Sequence, residues 1–276
     1  MIGKLLGWLR NRREPARIPD ELWLEVRSQL PFVACLDGEE QLRLRRLAED
    51  FLAEKEFTAV ADFELDDAIC VSIAVQGCLP ILNLGLGHYS GWVGIIVYAD
   101  EFIIPRCIED EFGVVHEYQE LASGEAWEGG PLLISWRDAQ MAGDGYNVVI
   151  HEFAHKLDMR NGEANGMPPL PPGMSAATWQ TVLLASYDAF CAAVERADRG
   201  GEETVFDPYA AENPGEFFAV MSEAFFETPQ DLLAEFPDLY ANLKCFYRQD
   251  PAARLRPPAG LPGTGCGESS EAMPDL

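Results

Sequence analysis

The feature that most restricts what this chain can fold into is the run His151, Glu152, Phe153, Ala154, His155, set in the stretch VVIHEFAHKLD over 148–158. On a helix, residues four apart share a face, so both imidazoles can reach one metal ion. Glu152 is rotated by about 100° from His151. Its carboxylate then lies beside the ion, where it can take a proton from an activated water. Val149, Phe153 and Leu157 fall on the core side, and His151, His155 and Asp158 on a cleft side. The spacing predicts a buried amphipathic helix over 146–159. A chance match on an ordinary helix is the competing reading. Two facts weigh against it: the pair uses two of only four histidines in the chain, and its flanks are apolar enough to be buried. Unliganded paired imidazoles are poor core residues.

With 276 residues, 48% of them hydrophobic and 24% charged, the chain can bury one substantial core. The expected organisation is a basic, flexible N-terminus over 1–17, one domain over 18–256 and a disordered Pro/Gly-rich tail over 257–276. No apolar run approaches the ~20 residues of a membrane span, and the start lacks the features of a secretory signal. Seven cysteines without a C-x-x-C pair read as reduced, buried thiols of a cytoplasmic protein. The net charge is −26, with +4 in the first 17 residues and therefore −30 in the rest. Such a surface repels phosphate backbones, so nucleic acid is not expected as a direct partner.

The pattern along the chain is α+β, with a small sheet before a mostly helical half. Helices are expected over 37–57 and 66–79, and a Gly-rich loop over 84–88 holds His88 exposed. Strands are expected over 92–104, 112–121 and 131–136, with turns at Ser123-Gly124-Glu125 and Gly129-Gly130. His116 reads as a strand residue rather than a ligand. After the metal helix come a Pro/Gly-rich loop over 161–173 and helices over 175–198, 214–227 and 238–248.

The third ligand separates the subclasses of such sites. A metzincin needs Gly at 158 and His at 161; Asp158 and Asn161 exclude it. The best downstream candidates are Glu216 and Glu223, seven apart on one face of a largely apolar helix. Glu216 has a competing role, because Asn213 fits an N-cap, Pro214 the first helical position and Glu216 the third residue of a capping box. Local chemistry leaves these alternatives open. Asp158 can either orient a ligand imidazole or close the helix end.

HEFAHKLDMRNG followed by DPYAAENPGEFFAVMSEAFFETP resembles the Mlc titration factor A family of zinc peptidases, and the likeness spans roughly residues 20–251. The site is also similar to that of the anthrax lethal factor catalytic domain. The resemblance implies a zincin-like α+β metallopeptidase fold carrying one Zn2+ on His151, His155 and Glu216. It implies Glu152 as general base and Tyr209, seven residues before Glu216, as a phenol donor to the oxyanion. It further implies a cytosolic aminopeptidase acting on peptide substrates, and binding to Mlc, a repressor of glucose-phosphotransferase genes. A repressor-sequestering module with secondary peptidase activity is the alternative.

Overall fold

The computed structural model describes residues 17–109, 115–143 and 145–255. The expectation for the tail lies wholly outside these residues, and that for the basic start does so apart from Arg17. In chain order come α1 (Asp20–Gln29), α2 (Pro31–Ala34), α3 (Gly38–Glu54), β1 (Glu56–Ala59), α4 (Asp67–Cys78), β2 (Gly94–Tyr98), β3 (Phe102–Glu109), β4 (Val115–Ala122), β5 (Gly124–Ala126) and β6 (Leu132–Ser135). The helical half follows: α5 (Trp136–Ala139), α6 (Val148–Asp158), α7 (Ala176–Asp198), α8 (Pro214–Glu227), α9 (Pro229–Glu235), α10 (Pro237–Tyr247) and α11 (Pro251–Arg254). This is the expected α+β arrangement.

The sheet runs β1-β2-β6-β5, with β1, β2 and β6 parallel and β5 antiparallel at one edge. The apolar stretch over 92–104 is not one strand. It bends at Ala99–Glu101, where Asp100 accepts from the Glu101 amide, and splits into β2 of the sheet and β3 of a separate hairpin with β4. Ser123-Gly124-Glu125 is likewise not a free turn, since Gly124 and Glu125 open β5. The α3 helix stops at Glu54, short of the expected 57, because the next residues pair with β2 as β1.

Two close contacts fix the metal helix α6 in the core. At Gly77 of α4, an added Cβ would lie 2.5 Å from the Phe153 ring, so only glycine lets the two helices approach this far. Phe153 in turn meets Phe51, Tyr89 and Trp92 at centroid separations of 5.6, 5.0 and 5.9 Å. Val149 and Leu157 are buried beside it, as the helical spacing predicts. Lys156, on the same helix, donates to the carbonyls of Trp127 and Gly130 at 2.6 and 2.8 Å, fastening α6 to the loop between β5 and β6. Burial draws its ammonium down to about 8.

Candidate metal centre

Asn147 caps α6 by accepting from the Ile150 amide at 2.8 Å. One turn on, His151 and His155 bring their Nε2 atoms to 3.1 Å from each other. Glu216, in the first turn of α8, places Oε2 3.1 Å from Nε2 of His151 and 3.2 Å from Nε2 of His155. These three atoms form a small triangle. Its edges approach the ~3.3–3.4 Å edge of a tetrahedron built on zinc bonds of ~2.0–2.1 Å. Two imidazoles and one carboxylate aimed at a common point are a donor set for a divalent ion, and the arrangement fits zinc. It is the one such group among the described residues.

The competing role of Glu216 resolves in favour of the cluster. Asn213 caps α8 with its own Oδ1, accepting from the amides of Gly215 and Glu216, while the Glu216 carboxylate turns to the imidazoles. Burial pushes that carboxyl up, but the hydrogen bonds from His151 and His155 outweigh it and hold the group well below the ordinary range. Glu223 stands behind the triangle, with Oε1 2.8 Å from Nδ1 of His151 and Oε2 accepting the Asn147 amide at 2.5 Å. A carboxylate at Nδ1 keeps the proton there and leaves the Nε2 lone pair for the ion. Burial lowers the affinity of His151 for a proton, yet the bonds to Glu216 and Glu223 prevail and raise it well above the usual value.

Glu152 is 5% exposed, and its Oε2 has no hydrogen-bond partner among the described residues. Burial pushes its carboxyl up to about 7, against the opposing pull of the two imidazoles. That places it near neutrality, where a general base works best. Gly124 of β5 lies against it so closely that a Cβ there would come within 2.5 Å of Oε1. Tyr209 sits in a 3-10 turn, Pro208–Ala211, capped by Asp207. Its ring centroid is 6.2 Å from that of His151. Burial, then Glu216, raises its phenol, so it remains a proton donor.

Asp158 does not hydrogen-bond a ligand. It accepts the Gly166 amide at 2.6 Å and thereby anchors the loop after α6. His116 lies in β4 opposite Ile108. His88 is half-buried rather than exposed, its ring near the Gly85 carbonyl.

Sequence reasoning places a substrate-aligning sheet edge somewhere in 92–136 without identifying it; β5 is an edge strand that lines the cleft. That reasoning missed three contributors. Gly124 lines the cleft, and so does Tyr146, within hydrogen-bonding reach of Ser123. Glu227, one turn beyond Glu223, accepts from the amides of Gly143 and Gly145 and from the Asn147 side chain, holding the loop that starts α6. The spacing of Glu223 and Glu227 was the available signal; Gly124 offered none. Together these walls enclose about 750 Å³.

Comparison with known proteins finds a family and full-length relatives. The sequence profile of a family described as glucose-regulated metallo-peptidase M90 matches residues 6–248. Mlc titration factor A of Pectobacterium atrosepticum is 39% identical over 256 residues, covering 91% of this chain and 95% of the relative. The proteins of the same name from Salmonella arizonae and Salmonella typhimurium are each 38% identical over 255 residues, covering 91% of this chain and 100% and 95% of theirs.

Proposed function

The chain belongs to the glucose-regulated metallo-peptidase family M90, and from that membership we propose that it is a zinc-dependent peptidase, acting in the cytoplasm as an aminopeptidase. The observation that carries the reading is the convergence of His151, His155 and Glu216 on one point, beside a buried Glu152 oxygen that has no hydrogen-bond partner among the described residues.

His151, His155 and Glu216 would hold a zinc ion. Zinc, when bound, acidifies a water and polarises a carbonyl. Glu152 receives the water's proton at Oε2 and returns it to the leaving amine. Tyr209 donates its phenol to the oxygen that becomes negative as the carbonyl is attacked. Glu223 fixes the His151 tautomer. The substrate lies along β5, whose outer edge pairs with no other strand among the described residues and faces the cleft. Adding a peptide strand there aligns its backbone beside Glu152. Gly124 keeps that approach open.

The test combines metal content with one substitution. Purified protein binds one zinc per chain, and Glu152→Gln retains it while hydrolysis of aminoacyl anilides falls by about two to four orders of magnitude. Protein that binds no zinc after dialysis against the metal refutes the reading.

The relatives' name favours a second role, capture of an Mlc-type repressor. Glu152→Gln separates the two. A variant without hydrolysis that still binds the repressor shows that binding does not depend on catalysis.

A further inference from the structure

Among the described residues, seven carboxylates line the cleft and no lysine or arginine does. Glu152, Glu216 and Glu223 belong to the metal centre. Glu120 on β4, Glu125 on β5, Asp207 and Asp231 exceed what one divalent ion and one general base require. Acids alone are expected on any wall of so acidic a chain. Two further observations give this group a direction. Glu152, 5% exposed, presents an Oε2 to the same cleft with no hydrogen-bond partner among the described residues. The segment bearing Glu120 and Glu125 also leads into the open β5 edge, which is a template for an extended chain.

These charges reach the reacting groups. Glu125 acts electrostatically on Glu152, and Glu120 acts on Tyr209. Glu125 also accepts the Trp127 indole at 2.6 Å, which holds its carboxylate in place. On the same walls, Leu121 and Val205 are 62% and 63% exposed and offer apolar contact. A cleft lined by one sign of charge, with low-dielectric walls, concentrates ligands of the opposite sign.

We infer that the cleft selects peptides carrying a lysine or arginine side chain near the scissile bond, received by Glu120 and Glu125 while Leu121 and Val205 take the adjoining apolar side chain. The inference rests on the peptidase reading and names the substrate class of that site. A free N-terminus is common to every aminopeptidase substrate, so the preference concerns the side chain.

The test uses the zinc-loaded full chain and one apolar peptide sequence with Lys, Gln or Glu beside the cleaved bond, each with a free or an acetylated N-terminus. With the free N-terminus, kcat/KM for the Lys peptide exceeds that for the Glu peptide by at least about tenfold at low salt. The gap shrinks severalfold at about 0.5 M salt, as screening requires. Glu120→Gln with Glu125→Gln narrows it too. Acetylation removes the N-terminal charge from every peptide alike, so a Lys-over-Glu order in binding that survives acetylation belongs to the side chain, and one that vanishes overturns the inference. Equal rates for Lys and Glu peptides, or a preference indifferent to salt, overturn the inference and leave the peptidase reading intact. Anisotropy of the same peptides, fluorescently labelled, on zinc-loaded Glu152→Gln keeps the two apart. The charge order seen in binding without hydrolysis by the native chain sinks the peptidase reading and upholds the subsite.

Discussion

At the scale of single residues, the site depends on one missing side chain as much as on those present. At Gly124 a methyl group would meet the Glu152 side chain from Cγ to Oε1 rather than backbone. That buried side chain must shift as a whole, so Gly124→Ala destabilises by about 1–3 kcal/mol. It also misplaces the base, and kcat falls by about tenfold to a hundredfold with zinc content unchanged. Stopped assays with parallel metal analysis check both halves. Glu152 also leaves a signature in the zinc-free protein. Burial pushes its carboxyl up to about 7, above the ordinary 4.5. Folding therefore favours the protonated form, and this contribution is full below about pH 4.5 and lost as pH rises through about 7. Urea midpoints of zinc-free Glu152→Gln and wild type should accordingly diverge between pH 5 and pH 8, with the variant gaining at the higher pH. His151, Glu152 and His155 were legible because a helix turns sequence spacing into geometry. Glu216 was legible only as one of two acids, since a capping box and a metal ligand use the same residue type at the same position. Gly124 was illegible, because what it accommodates comes from 28 residues further along the chain.

At the scale of elements, α8 governs α6. Glu216, Glu223 and Glu227 project from α8 to the imidazoles, to the Asn147 amide and to the loop at Gly143 and Gly145. The helix that completes the metal site thus also sets the start and register of the helix carrying the two histidines. Glu223→Gln keeps the size of the side chain but weakens its hold on the Nδ1 proton of His151. Zinc affinity should drop by about 10–100-fold, measured by competition with a chelator. A purely structural role for Glu223 would lower the melting temperature of the zinc-free protein and leave affinity unchanged. The helices α3, α6, α7 and α10 follow their apolar periodicity, whereas α4 and α8 are apolar and buried on nearly every side. The strands follow theirs less well. β1 has four residues and β5 three, too few for an alternation to stand out, and each exists because a neighbour supplies its hydrogen-bond partners. The split of 92–104 at Asp100 is a tertiary event, in which one apolar stretch serves two sheets.

At the scale of the molecule, the candidate metal centre ties α6 to α8 within the helical half, and Lys156 ties α6 to the sheet. An ion bound there would therefore stabilise the whole unit. With free zinc at about a hundred times its dissociation constant, the gain is about 2.7 kcal/mol, or roughly 5–10 °C in melting temperature for a unit of this size. A chelator should reverse that shift in a thermal melt, and no shift would mean that the triangle of donors stays empty. The open strand at the cleft has one more consequence, for solubility. An exposed edge invites a second copy to extend the sheet and begin a polymer. Here the edge is only three residues long, and antiparallel self-pairing about its centre would set Glu125 directly against Glu125. Like charges in register repel, so the strand that welcomes a peptide of opposite charge turns away its own twin.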